Sequence, residues 1–406
     1  MNKIFKNYLP TLLLLAGITI GGICGVVFGP KAQVVGPVGT LFLNFIFVLI
    51  VPLVFFSVVS SVSKLVRSGS FGRVFMIIIA VFLGMSLVAG LLTYLGCVLY
   101  DPLAGVDKAA ILGNLPPRVE SEAMSFGDAI VSAVSVPDFL QIFSRDHLLP
   151  LIIFSAMLGA VLGKFGEAAE HVSKLVDSGL ELVMGMMNLL MKLAPVALGC
   201  YFADMIASVG SQLIGGYLRS FLLYTVVAAI IFFVLNPLYV FLARGASGVR
   251  LYWKHILPPS LTAIATASSA AAMPGNIEAV KRMGANPEIA ESVVPLGTNI
   301  HKDGTVVGEV LKIVFLMGLY GQSCGSAGEL ALILLISILA AIVMGAVPSG
   351  GATGEILICS LMGFSPEMVG VLFIISNLID IPATLANSSS NVSAAILIDR
   401  LAERRG

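Results

Sequence analysis

Asp380, Thr384, Asn387 and Asn391 stand at i, i+4, i+7 and i+11 in a segment otherwise built of apolar and small residues. At 100° per residue these four project from one stripe of a helix. An intramembrane stripe of this kind faces a cavity. The plainer reading is hydrogen-bond glue between helices, which Thr384 and Asn391 alone would fit. Asp380 weighs towards function, since an ionisable group inside a membrane costs about 3 kcal/mol or more. Upstream, Asn299 is followed by His301-Lys302-Asp303-Gly304-Thr305, then Glu309 and Lys312. Charges this dense around a glycine imply opened backbone beside a charged cavity. The bland alternative is an internal salt bridge from Lys302 to Asp303 or Glu309; in a continuous helix Lys302 and Glu309 stack about two turns apart. Asp303 with Asp380 as an aspartyl pair, or Ser349 with His301 as a dyad, would make an enzyme, but neither sits in a Gly-x-Gly-Asp or Gly-x-Ser-x-Gly context. The expectation is therefore a carrier or a pore, not an enzyme and with no cofactor.

The elements that position these residues are set by composition. Of 406 residues 58% are hydrophobic and 11% charged, with mean hydropathy +1.01. A soluble protein carries about a quarter of its residues as charges, so this chain cannot cover a water-facing surface. Runs such as 41–57, 76–99, 221–243 and 330–347 approach or exceed the length that crosses ~30 Å of hydrocarbon. The fold class is an all-α polytopic membrane protein. Lys plus Arg and Asp plus Glu balance at 23 each, which gives no global field for nucleic acid. Cys24, Cys97, Cys200, Cys324 and Cys359 lack metal or redox spacing and read as buried thiols. The apolar run after Lys3 and Lys6 is longer than a signal core, which favours a retained first helix.

Helices are expected near 8–29, 38–64, 72–99, 127–163 (interrupted), 173–208 and 213–243. Lys3/Lys6, Lys64/Arg67/Arg73, Lys164/Lys174 and Arg244/Arg250/Lys254 fall on alternate loops, so the N-terminus is read as cytoplasmic in a multi-pass cell-membrane protein. The apolar stretch 256–280 has basic residues at both ends and small, hydroxyl-rich residues from Thr266 to Pro274. It reads as a re-entrant hairpin with a non-helical tip, which hydrocarbon permits only around a polar cavity. A second hairpin, 330–361, is broken at Val347-Pro348-Ser349-Gly350-Gly351. Each precedes a helix with polar residues at membrane depth, 288–318 and 365–401. Paired interrupted segments of this kind point to a transporter's binding site. A channel is the rival, because broken hairpins can also select ions. His147, His171 and His255 read as interfacial, and Trp253 as an interface anchor.

This order of six helices, a serine-tipped hairpin, an Asp-Gly-Thr break, a Val-Pro-type hairpin and an Asp-x-x-x-Thr-x-x-Asn stripe resembles the dicarboxylate/amino acid:cation symporters, the glutamate transporter family. Val51-Pro52-Leu53-Val54-Phe55 and Leu193-Ala194-Pro195-Val196 belong to the same likeness, which covers nearly the whole chain. The resemblance implies eight transmembrane helices plus two re-entrant hairpins, a homotrimer in membrane lipid, and an elevator motion. It also implies scaffold helices 1–2 in 1–72, helix 3 and an extracellular loop in 73–126, scaffold helices 4–5 in 127–212, helix 6 in 213–250 and a transport core in 251–406.

The resemblance further implies a substrate shell of Ser268, Ser269, Thr305, the Val347 carbonyl, the Gly351 amide, Asp380, Ala383, Thr384 and Asn387, with Asp380 pairing an ammonium and Asn387 a carboxylate. Acidic-substrate members place arginine at Ala383, or bring one from the position of Ala267. An acidic side chain would lack a bidentate partner here, so a small neutral amino acid is expected, with sodium-coupled dicarboxylate or acidic amino acid transport as the alternative. Pro382 replaces the usual glycine. Ion coupling is implied at His301, Lys302, Asp303, Glu309 and Asn391. Asp303 survives from a sodium motif as a candidate cation site, but His301-Lys302 replaces Asn-Met, Asn391 replaces an aspartate, and Phe82 and Met85 replace hydroxyls, leaving Ser86. Glu309 stands where proton-coupled members carry a protonatable glutamate. Proton coupling is therefore expected over sodium, with Lys302 as an alternative tethered cation and Glu355 as either a proton site or a partner of Lys302.

Overall fold

Backbone in an apolar run has no water to bond, so each segment must close its own hydrogen bonds as a helix. A computed structural model describes residues 3–67, 73–106, 135–144, 147–209, 212–322, 324–344 and 351–403, and its regular elements there are all helical. They are α1 (Lys3–Phe28), α2 (Gly36–Arg67), α3 (Arg73–Leu99), α4 (Leu148–Phe165), α5 (Glu170–Met191), α6 (Ala194–Val209), α7 (Gln212–Ile230), α8 (Asn236–Thr266), α9 (Ser269–Arg282), α10 (Pro287–Ile300), α11 (Asp303–Leu319), α12 (Ala327–Met344), α13 (Gly351–Met362) and α14 (Met368–Glu403). A π turn, Ile231–Leu235, joins α7 to α8. Six runs among the described residues are long and apolar enough to cross a membrane: 16–64, 76–99, 150–187, 213–266, 327–344 and 368–403.

Four expectations shift in detail. Within the interrupted 127–163 span, the described part before His147 is turn and one short 3-10 helix, Leu140–Phe143. The 173–208 span divides at Lys192-Leu193, just ahead of Pro195, which has no N–H to continue the ladder. The first hairpin's non-helical tip is narrower than Thr266–Pro274. Only Ala267 and Ser268 leave the helix, Ala267 in the left-handed region (φ 47°), and Pro274 lies inside α9. Cys97 and Cys359 are buried, but Cys24, Cys200 and Cys324 are half-buried.

Helices α1, α2, α4, α5 and α6 pack on one another, while α3 and α7–α14 gather around α11 and α14. Where α1 crosses α6 the backbones touch. A Cβ at Gly21 would lie 2.1 Å from the Gly199 carbonyl oxygen, so the small residues of Gly17-x-x-x-Gly21 set the approach. Trp253 packs in an aromatic cluster with Phe232, Phe233 and Tyr252. At Gly245 (φ 66°, ψ −162°) α8 kinks, and the arm that follows turns back against α14.

The kink is anchored by Arg244. Its guanidinium donates to the carbonyls of Met283 (2.6 Å) and Gly284 (3.0 Å) and to Asp399 Oδ2 (2.5 Å). Asp399, 1% exposed, accepts a second bond from the Asn286 backbone N–H at 3.0 Å. One fork thus ties α8, the α9–α10 turn and the end of α14. Arg244→Ala leaves a buried carboxylate without its cation, and we predict a loss of about 3–5 kcal/mol. It is read as a lowered melting temperature of the purified protein, with Arg244→Lys intermediate because a point charge replaces the fork.

Candidate functional site

The helical run expected over 288–318 is interrupted. Backbone at His301 (φ −112°, ψ 101°) and Lys302 (φ −135°, ψ 74°) is extended, which ends α10 and restarts the chain as α11 at Asp303. The restart brings the first turn of α11 against the middle of α14. Gly304 makes the approach feasible, since a Cβ there would lie 2.5 Å from the Ala383 carbonyl oxygen. Tyr224 of α7 caps the break from the other side, its hydroxyl donating to the Gly304 carbonyl at 2.7 Å.

Three groups of side chains result. In the first, the Thr305 N–H donates to Asn387 Oδ1 and Asn387 Nδ2 donates to Thr305 Oγ1, both at 3.1 Å. An amide has two N–H donors and two acceptor sites, so Asn387 is held rigid and keeps one N–H for a ligand. Thr384 and Asn387 are buried, and Asp380 and Ala383 are half-buried on the same stripe. Lys302 and Asp380 interact electrostatically without forming a direct ion pair. Ser268 and Ser269 sit half-buried at the tip of the first hairpin, where Ser268 Oγ caps α9 by accepting from the Ala271 N–H at 3.3 Å. Gly351 opens α13, and Val347 lies outside the described residues.

The second group is His301, Asp303, Asn391 and Ser86. Nε2 of His301 lies 3.1 Å from Asp303 Oδ1, and Nδ1 lies 3.0 Å from Asn391 Oδ1. The first contact is electrostatic rather than an aligned hydrogen bond. Ser86 Oγ donates to the same Asp303 oxygen at 3.0 Å. Phe82 stacks on the imidazole, with centroids 4.4 Å apart and planes 9° from parallel. Met85 is buried beside it.

The third group decides against an alternative that the sequence left open. Lys302 bridges neither Asp303 nor Glu309; Glu309 and Glu355 both pair with Lys312, named in the sequence only as a neighbour. Lys312 Nζ donates to Glu309 Oε1 at 2.6 Å, to Ser376 Oγ at 3.0 Å and to Glu355 Oε1. Ser376 also bonds Glu355. All three charged groups are about 1% exposed or less, and the outer oxygens of both glutamates have no hydrogen-bond donor. A further polar band also escaped the sequence reading. Asn276 Nδ2 donates to Ser388 Oγ at 2.8 Å, and Asn236 Nδ2 to Ser389 Oγ at 2.9 Å, joining the second arm of the first hairpin and the start of α8, before its kink, to α14. Its one signal was the Ser388-Ser389-Ser390 run in an apolar helix.

A rigid polar cradle where a broken helix meets a polar-striped one, between two helical hairpins, is the geometry of a solute carrier. The family model for the sodium:dicarboxylate symporter family matches residues 11–401. The chain belongs to this family. Several transport proteins resemble it over almost their full length. A proton/sodium-glutamate symport protein of Bacillus caldotenax is 25% identical over 405 residues, covering 95% of this chain and 93% of that protein. A serine/threonine transporter of Streptococcus thermophilus is 25% identical, covering 93% and 92%. A C4-dicarboxylate transport protein of Bacillus subtilis is 22% identical, covering 98% and 94%. This symporter-family chain is a multi-pass membrane transport protein, and its family consists of transporters rather than enzymes.

Removing Lys312 should be harsher than removing either glutamate. Lys312→Met leaves two buried carboxylates facing each other, with an expected loss of about 3–5 kcal/mol. Adding Glu355→Gln to that variant should recover part of the melting temperature, whereas a merely space-filling Lys312 would gain nothing from the second change.

Proposed function

We propose that this chain is a secondary-active symporter that carries a small neutral amino acid together with a proton. The observation that carries the reading is the cradle on α14: Asp380, the Thr305–Asn387 pair, and Ala383 between them. Asp380 pairs the substrate ammonium and the free Asn387 N–H meets its carboxylate, so a zwitterion stripped of water keeps a partner at each end. Ser268, Ser269, Thr384 and, from the second hairpin, Val347 and Gly351 complete the shell. Alanine at 383 and 267 offers no guanidinium to a second carboxylate.

The family arrangement carries over as part of this reading: eight transmembrane helices, two re-entrant hairpins and cytoplasmic termini. A homotrimer holds α1, α2 and α4–α6 still, while the hairpins with α11 and α14 travel as an elevator. The coupling proton is taken by the Glu309–Lys312–Glu355 cluster, where two carboxylates share one ammonium and a single added proton leaves the group neutral. One observation favours a second reading, an acidic substrate: the Lys302 ammonium within electrostatic reach of Asp380 can pair a further carboxylate. The relatives that carry glutamate or C4-dicarboxylates are in keeping with it.

Uptake into proteoliposomes, with substrate panel, sodium and proton gradients varied independently, tests these statements. Alanine, serine or threonine should compete and aspartate should not; strong aspartate uptake would select the second reading, and conduction without saturation would select a channel. Asp380→Ala should weaken amino acid binding roughly 100-fold, about 2.7 kcal/mol for a lost charge-assisted contact, in a protein that still folds.

An acid-outside gradient should drive accumulation with sodium absent. Glu309→Gln should lose that net uptake but keep exchange of internal for external substrate, because exchange does not require the empty carrier to return. Uptake that follows sodium and ignores the proton gradient would reject proton coupling.

A further inference from the structure

The family's name implies a sodium ion, and Asp303 is the buried carboxylate that such an ion would be expected to meet. A hard cation of this kind wants about five or six oxygen ligands around it. The side chains in contact with Asp303 do not supply them. Its Oδ1 already receives the Ser86 hydroxyl, and the imidazole of His301 stands 3.1 Å from the same atom. The ring reaches on to Asn391 Oδ1 at 3.0 Å, so it spans the gap between the start of α11 and the stripe of α14. Its faces are closed to water, with Phe82 flat against it and His301 itself 0% exposed. Gly297, one turn earlier, lets the group close, because a Cβ there would come within 2.4 Å of Asn391 Oδ1 and 3.2 Å of Phe82. An aromatic ring and imidazole carbons line the space that further oxygens would need.

We propose that His301 is the residue that decides cation specificity here, its imidazole occupying the place of a sodium ion between Asp303 and Asn391. The ring acts as a tethered replacement: with the Asn391 amide as oriented, Nδ1 carries the proton that Asn391 Oδ1 accepts, and a charged ring holds a second proton on Nε2 beside Asp303. With that amide turned over, Asn391 Nδ2, which has no partner as oriented, donates to Nδ1, and a neutral ring carries its proton on Nε2 beside Asp303 Oδ1. The bridge from α11 to α14 that an ion would make is then permanent. This inference rests on reading the chain as a cation-coupled symporter, and it concerns the ion alone.

The test is thermal unfolding of the full-length protein in lipid nanodiscs, with sodium chloride replaced by choline chloride at constant ionic strength. Wild type is expected to melt at the same temperature in both salts. His301→Asn and His301→Ala, which vacate the space and leave Ser86, Asp303 and Asn391 in place, are expected to gain a sodium-dependent rise that grows with the logarithm of sodium concentration. His301→Phe, which refills the space with a ring, should stay insensitive. Wild type stabilised by sodium overturns the proposal, as does a folded Asn or Ala variant without any sodium response. Should neither variant fold, the wild-type titration decides, since a resident sodium site must raise its melting temperature. Neutral amino acids added in the same assay report on the substrate reading separately: if none shifts the melting temperature while the sodium results come out as expected, the substrate assignment fails and the ion assignment stands.

Discussion

Two residues of extended backbone at His301 and Lys302, deep among helices, set the terms for everything around them. Backbone that leaves a helix in an apolar interior must find partners for its polar groups. The partners come from every side: Tyr224 on the Gly304 carbonyl, Asn387 on the Thr305 N–H, and the α11 helix beginning at once so that Val306 bonds back to Lys302. The same break turns three consecutive side chains in three directions. His301 goes to Asn391, Lys302 stays out of any direct ion pair while interacting electrostatically with Asp380, and Asp303 goes to Ser86. A continuous helix would have spread them around its circumference, out of reach of a common stripe on α14.

Charge placement follows one rule throughout the described residues. Apart from Lys302, which is buried without an ion pair, the buried charges are joined in sets that reach across elements, and each joint falls where two elements must keep a fixed relation. Arg244 with Asp399 locks the hairpin base to the end of α14, and Lys312 with Glu309 and Glu355 locks α11 to the second hairpin. Breaking such a pair costs more than forming it contributes, so these contacts work as registers rather than as sources of stability. The proposed substrate cradle is different in kind. Asp380 keeps a carboxylate without a direct ion pair beside an amide with a spare donor, which is what a site for a transient zwitterion requires.

A contrast runs between the two packing modes. Where α1 meets α6, Gly21 against Gly199 brings backbones into contact, and Gly22 and Gly25 take Phe202 and Ile206 against them. Around α11 and α14 the interfaces carry serines, asparagines and paired charges. Apolar close packing leaves no polar partner to exchange, whereas hydrogen-bonded interfaces can trade partners.

Much of this was legible in the sequence. Composition and run lengths dictated membrane helices, because a chain with so few charges cannot face water. The spacing of Asp380, Thr384, Asn387 and Asn391 placed them on one stripe, because helical periodicity is local. The density of charge around Gly304 implied the break that α10 and α11 show. What the sequence left open was pairing. Lys302 and Lys312 are both lysines near Glu309, and only tertiary structure chose Lys312, by bringing Glu355 from 43 residues away onto the same ammonium. Likewise His301 joins Asn391 across 90 residues, and Asn276 joins Ser388 across 112. The narrow tip at Ala267-Ser268, with Pro274 absorbed into a helix, was decided the same way, by α8 and α9 packing against α14. Periodicity is written in neighbouring residues. Which distant charge meets which is set only when the helices pack.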